Sequence, residues 1–283
     1  GSTLGVTGPE RMSTGWGPNV CAYAGLPSIT GYASGPPGDL GGTWPDYAIG
    51  TMMVFGILAA LYHRQATGEG QQIEVAMGEA VTGMIPEAVL DFTMNGRERP
   101  RMGNRDYHMA PHDVYHCAGD DRWVAIEVDS DAAWRAFCGV LARPELATDP
   151  SYATTAARLA HEDELDAIVV GWTRERSPYE ATHALQTAGI AAGPVMNVFD
   201  QVSDPHFTAR EWVVEMDHLE VGPRTVAGLP AKFSAMPQLA YSPAPCLGQH
   251  NAEVFGGEFS VRQSLAPLGG WGKHFNGFVN GTK

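Results

Sequence analysis

A lone carboxylate stands at the entrance of the longest apolar segment of this chain. It is Asp46, in Pro45-Asp46-Tyr47-Ala48-Ile49-Gly50. Met52, Met53, Phe55, Gly56, Leu58, Ala59 and Tyr62 make a helix over Asp46–Gln65 apolar on most sides, which predicts that it is buried. A carboxylate in the first turn of such a helix meets N–H groups without intrahelical partners and the positive end of the helix dipole. Both favour the anion. An ionised, partly desolvated carboxylate can attack an activated acyl carbon. The plain alternative is an ordinary N-cap, a position where Asp is favoured.

The segments around Asp46 follow from punctuation. His63-Arg64 complements the helix C-terminus, and Thr67-Gly68-Glu69-Gly70 stops the helix with Gly68 as its C-cap. Gln72–Ala76 reads as a strand, and Met77–Phe92 as a second helix with Pro86 as its weak point. Upstream, Arg11–Asp39 is rich in Gly and Pro and reads as loop and short helix near a site.

The bulk properties exclude several classes. At 283 residues the chain can bury a real core as one large or two modest domains. A formal net charge of −14 argues against nucleic acid, which needs a basic face. Cys21, Cys117, Cys138 and Cys246 are scattered without a C-x-x-C pair and read as free thiols in a reducing compartment. The apolar run Met52–Leu61 is too short to span a bilayer, and no signal peptide is visible, so the cytoplasm is expected and a membrane is not. His108, His112 and His116 invite a metal, but Pro111 breaks any common helix face and no Cys stands at ligand spacing, so no metal site is assigned. The sequence holds no G-x-G-x-x-G, Walker loop or G-x-S-x-G.

Beyond residue 96 the texture changes. Arg97–Arg105 is a basic linker. Tyr115–His116 and Trp123–Val128 read as a hairpin around Gly119-Asp120-Asp121. Asp131–Leu141, His161–Thr173 and Pro178–Ala188 read as helices, and Gly189–Pro194 as a turn leading to a short strand. Asp204–Met216 is expected to be helical around Pro205, Gly228–Met236 extended, and Pro243–Phe255 a closing helix. Glu258–Lys283, rich in Gly, Phe and Trp, stays unassigned.

The run from Pro45 to Met77 resembles the family III CoA-transferases, the formyl-CoA and carnitine type, and their relatives the α-methylacyl-CoA racemases. Asp46, Gly50, Ala59-Ala60-Leu61, Arg64, Thr67-Gly68, Gly70-Gln71 and Met77 fall without a gap on that family's helix-entrance Asp, its "aALxxRxxTGxGQ" run and its strand ending at Met. Ser2–Pro9 resembles the family's "SxxGxTGP" loop, and Pro245–Val254 its "PxLGxHNxEV" closing helix. Pro111, Tyr115, Trp134, Asp149-Pro150, Arg158 and Gly193-Pro194 match as well.

The resemblance implies an α/β architecture: a Rossmann-like large domain, here its later half only, plus a smaller α+β domain, in an interlocked dimer. The corresponding segments are 1–96 for the large domain with the nucleophile helix, 97–228 for linker and small domain, 229–257 for a segment returning to the large domain, and 258–283 unassigned. The "SxxGxTGP" loop ordinarily lies well inside the protein. The expectation is therefore a homodimer, or a heteromer with a chain supplying the N-terminal half, and exposed apolar surface unless another polypeptide covers it.

The implied activity is acyl-CoA:carboxylate CoA transfer, with Asp46 as covalent nucleophile, an acyl-CoA and a small carboxylic acid as substrates, and no cofactor besides the CoA thioester itself. Met77 matches a Met beside the thioester, its alternative being a soft core filler. Gly103 and Asn104 lie where some members carry a mobile glycine loop. Arg105, at the end of the basic linker, could meet CoA phosphates or could simply be solvated. Two other readings stand beside transfer. In the racemases a "GHDINYLAxSG" run carries a catalytic His. Here Gly15–Gly25 places Trp16 at that position, and indole cannot move a proton at neutral pH, which disfavours epimerisation. The other is a non-catalytic subunit or fragment of a CoA-transferase complex.

Overall fold

Prolines and glycines space the first helices. In the computed structural model, which describes residues 2–237 and 241–251, α1 spans Gly17–Tyr23, α2 Leu26–Ile29, α3 Trp44–Thr67, α4 Met77–Thr82 and α5 Pro86–Asn95. Contacts divide the chain into two units, residues 1–195 and 196–283.

In the first unit, α1, α3 and α4 share a small core of Val20, Cys21, Leu26, Ala48 and Val81, with Ala24, Met77 and Ile85 against it. The helix expected over Asp46–Gln65 exists and ends where expected: Gly68 adopts a left-handed conformation (φ +80°) and donates to the Arg64 carbonyl at 2.8 Å. Its burial is a different matter. Only Pro45 and Ala48 are buried, whereas Phe55 is 74% and Tyr62 77% exposed. A helix apolar all round needs neighbours on every side, and among the described residues only one end of one stripe meets them. Among those residues, α3 is also the one helix long and apolar enough to cross a membrane by length and composition.

The strand expected over Gln72–Ala76 does not form as a named element. The segment is extended, but a strand needs a ladder, and its described partner is one parallel bridge, Ser2 to Ala76. The second helix breaks where proline dictates: Pro86 lacks an N–H and so opens α5 instead of continuing α4.

Downstream the expected hairpin is present and longer. β1 (His112–His116) pairs antiparallel with β2 (Trp123–Glu127), from His112 opposite Glu127 to His116 opposite Trp123. β3 (Ala191–Pro194) adds to the other edge of β2. α6 spans Asp131–Val140, α7 Thr155–Ala160, α8 Glu162–Thr173 and α9 Pro178–Thr187. Val124, Ile126 and Val128 alternate to one face and pack with Trp134, Phe137, Leu165, Val169 and Leu185. The four cysteines are free thiols, as their spacing indicated.

The second unit holds α10 (Val198–Ser203), α11 (Pro205–Ala209) and a hairpin of β4 (Val213–His218) with β5 (Gly222–Ala227). The helix expected over Asp204–Met216 is therefore corrected: Asp204 caps a single short helix, and Val213–His218 pairs as a strand. Valines and alternation there favour the ladder once Gly222, at φ +69°, closes the turn. Gly228–Met236 forms no helix or strand, and of the closing segment Pro243–Phe255 the described residues are 243–251, irregular up to a turn over Leu247–His250. Glu258–Lys283 lies outside them.

Arg158, on α7, is fully buried. Its Nε donates to the Ala110 carbonyl at 2.6 Å, and Nη1 donates to the Tyr152 carbonyl and Asp131, both at 3.1 Å. Nη2 donates to Thr155 Oγ1 at 2.9 Å. Replacing Arg158 with Leu strands these acceptors and is expected to cost about 3 kcal/mol or more in denaturant unfolding. The Thr155 hydroxyl first, and then Arg158, hold the Asp131 carboxyl below its ordinary range. The stability this contributes is present above the usual carboxylate range and is lost as pH falls through the lowered folded value. Asp131→Asn is expected to lose stability at neutral pH and to show a shallower acid limb in unfolding measured against pH.

Candidate functional site

The first turn of α3 is built by the Gly41-Gly42-Thr43 turn. Gly41 is left-handed (φ +100°), and its carbonyl accepts from Trp44 N–H at 3.3 Å. The Thr43 carbonyl accepts from Asp46 N–H at 3.1 Å. Thr43, not Asp46, is the N-cap, and its hydroxyl makes no capping bond. Asp46 is the third helical residue. Its side chain is exposed, and among the described residues no hydrogen bond or ion pair engages its carboxylate. The cap role that competes with the nucleophile role is thus not what this side chain does. Trp44 and Tyr47 flank it on the helix, 38% and 71% exposed.

On the buried side of the same turn, Ala48 is 2% exposed against the α1–α4 core, and Met77 lies half-buried on that core. Met77 opens α4 and donates its N–H to the Ser2 carbonyl at 2.8 Å. The chain returns to it along α3: a Cβ on Gly56 would stand 3.2 Å from Ile73 Cγ2. Ala48 and Met77 thereby meet on one small core, and Asp46 stands two residues before Ala48 on α3. Trp16 precedes α1, is 84% exposed, and has its N–H held by Asn19 Oδ1 at 3.3 Å.

The other candidate residues have different partners. Gly103 is left-handed (φ +67°) and donates to the Gly31 carbonyl at 2.9 Å, while Arg101 donates to the Gly35 carbonyl at 3.1 Å. This stretch is pinned to the Thr30–Gly38 loop. Asn104 Nδ2 donates to Asp113 on β1 at 2.9 Å. Arg105 pairs with Asp163, with Asp166 at 3.0 Å and with Glu162 at 3.6 Å, all in the first two turns of α8. Tyr115 completes the cluster by donating to Asp166 at 2.8 Å. Arg97 and Arg99 both pair with Asp91 of α5. No bond among the described residues joins Gly103, Asn104 or Arg105 to Asp46. The basic linker spends much of its charge on carboxylates of its own chain.

Comparison with known proteins places these features in one family. The profile described as CoA-transferase family III matches residues 1–251. The chain is 32% identical over 254 residues to a Chloroflexus aurantiacus protein named succinyl-CoA–D-citramalate CoA-transferase, covering 90% of this chain and 63% of that protein. It is 34% identical over 255 residues to a formyl-CoA:oxalate CoA-transferase of Streptomyces avermitilis, covering 85% of this chain and 62% of that one. A solved structure of a CAIB/BAIF family protein from Brucella suis superimposes with a TM-score of 0.79 at 26% identity, covering 90% of this chain and 66% of that chain. The chain therefore spans less than two thirds of the length of these relatives.

The Arg105 cluster has a pH signature. Burial raises the Glu162 carboxyl above its ordinary value, and Arg105 opposes that rise. A raised carboxyl gives stability that is full below its unfolded value and is lost as pH rises through the folded one. Arg105→Gln removes the opposing charge, so the buried Glu162 carboxyl must ionise without it. The melting temperature of the variant is expected to fall further below wild type at about pH 8 than at about pH 5, in thermal denaturation across that window.

Proposed function

The chain belongs to CoA-transferase family III, and from that premise we propose that it moves coenzyme A from an acyl-CoA thioester to a small carboxylic acid, with Asp46 as the nucleophile. The observation that carries this reading is the Asp46 carboxylate itself: first turn of a long helix, exposed, and not consumed by capping or by an ion pair among the described residues. In the proposed sequence an Asp46 oxygen attacks the thioester carbonyl and the C–S bond breaks, giving a mixed anhydride and CoA thiolate. The thiolate attacks the Asp46 carbonyl carbon, and the acyl group leaves as its carboxylate. The acceptor carboxylate then attacks the aspartyl-CoA thioester, releasing the thiolate again. Thiolate attack on the acceptor's acyl carbon frees the new acyl-CoA and regenerates Asp46. No net proton is taken up or released. Each tetrahedral oxyanion needs donors, and the positive end of the α3 dipole favours the negative charge that develops beside Asp46.

Met77 is proposed to border the thioester from the shared core. Gly103, Asn104 and Arg105 are proposed to hold the linker in place rather than to touch the nucleophile. The Ser2–Ala76 bridge supports a parallel, Rossmann-like layer of which this segment is an edge. The exposed apolar sides of α3 support an assembly in which further polypeptide, a second copy or a partner chain, covers that helix.

The test is an acid quench of the protein turning over succinyl-CoA with a dicarboxylate acceptor. A CoA-sized mass is expected on the peptide containing Asp46, removable by hydroxylamine. Asp46→Asn is expected to fold within about 0.5 kcal/mol of wild type and to lose transfer by about a thousandfold or more. A folded Asp46→Asn protein that transfers CoA at the wild-type rate would sink the proposal. In D₂O, 2-methylacyl-CoA is expected to gain no deuterium at C2. Deuterium uptake abolished by Asp46→Asn would point to isomerisation instead.

A further inference from the structure

The turn that launches α3 rests on a bare glycine of another helix. A Cβ on Gly17 would lie 1.6 Å from the Gly42 carbonyl oxygen and 2.6 Å from the Gly42 carbonyl carbon. Both atoms are backbone, so no side-chain rotation relieves the overlap. Gly17 is buried and its φ lies outside the left-handed range, so the demand is for space and not for an unusual conformation. The demand is also one-sided: a Cβ on Gly42 would meet only the Pro18 ring, at 3.8 Å and 3.9 Å, which is ordinary contact.

Gly42 is four residues before Asp46, and the intervening backbone is stiff. The Gly41 carbonyl takes Trp44 N–H and the Thr43 carbonyl takes Asp46 N–H, so a displacement of Gly42 carries into the first turn. No side-chain cap holds this end of α3. What locates it is Pro45 and Ala48, both buried, and the Gly17 Cα against the Gly42 carbonyl. Gly17 is itself fixed, since Val20 and Cys21 of the same helix pack on Ala48.

We propose that Gly17 is a positioning residue for Asp46: its bare Cα is the stop against which the Gly41–Thr43 turn seats, and this sets where the carboxylate stands. The proposal rests on Asp46 being the nucleophile for its kinetic consequence, but not for its structural one. Any side chain at 17 must move the turn by an ångström or more, and displacement on that scale typically costs about a hundredfold in rate.

The structural arm is amide hydrogen exchange. In the wild-type protein the amides of Trp44 and Asp46 are expected to be protected as strongly as those of Val20 and Cys21. Free fraying of this uncapped end in wild type would overturn the proposal, whether or not any variant folds. In Gly17→Ala these amides are expected to exchange at least about tenfold faster while those of Val124 and Ile126 stay unchanged. Gly42→Ala, which has room, is expected to behave as wild type. Equal sensitivity of Gly42→Ala and Gly17→Ala would mean general loop crowding and would overturn the assignment. The kinetic arm follows CoA adduct formation on Asp46 with succinyl-CoA. Gly17→Ala is expected to slow kcat about a hundredfold with KM within about threefold, and Gly139→Ala on α6, with open space around it, to change neither. A Gly17→Ala protein with wild-type exchange and wild-type kcat removes Gly17 from any such role. If wild type itself forms no adduct, the proposed reaction fails, and the exchange arm still decides the role of Gly17.

Discussion

A helix of 24 residues held by its first turn is the constraint on which this structure depends. Pro45 and Ala48 are its only buried residues, so the packing that orients α3 is concentrated within a few ångströms of Asp46. Burying an alanine contributes little by area. Its value is geometric, because a small residue lets α1 and α4 approach the helix backbone closely. The end that carries Asp46 is therefore the packed end. Beyond it α3 keeps a half-buried stripe of Met53, Gly56 and Ala60, with Gly56 against Ile73, while Phe55, Leu58 and Tyr62 are exposed.

The two arginines named above play the complementary part in the rest of the first unit. Arg158 ties the chain before β1, the stretch before α7 and the start of α6 through one guanidinium. Arg105 ties the end of the linker to α8. Arg105 ends the linker, and Arg158 sits on the short helix α7, so neither segment brings much apolar surface of its own. Fork-shaped donors with several acceptors are an effective way to order such segments.

The sequence made the local grammar readable and left the contacts between segments hidden. The end of α3 at Gly68, the break at Pro86 and the hairpin around Gly119 follow from residues acting on their neighbours. The burial of α3 could not be read, because an all-apolar helix signals a need for partners and not their presence. Val213–His218 was misread because Asp204-Pro205 starts a helix well but says nothing of where it stops. The position of Asp46 within its turn was off by one role: Asp favours the cap, yet Pro45 fits the second helical position and shifts the cap back to Thr43. Arg105 looked like a charge available to an anion, and its three carboxylate partners lie far along the chain on α8. Gly17 carried no signal at all. One glycine among many in a Gly-rich stretch gives no hint that it faces a carbonyl.

The reversal after Gly68 works like a slide rule with two scales. From Gly56 back to Asp46 are ten helical steps, about 15 Å at the helix rise. From Ile73 forward to Met77 are four extended steps, about 13 Å at the strand rise. Because Gly56 and Ile73 meet, the two scales are zeroed there, and Met77 comes level with the start of α3 although it is 31 positions away in sequence. Length is thus free on one side of the zero and fixed on the other. Residues gained or lost in whole turns beyond Gly56 lengthen only the loop of chain past the contact. A single residue gained between Asp46 and Gly56 turns the carboxylate by about 100° around the helix relative to the Gly56–Ile73 contact.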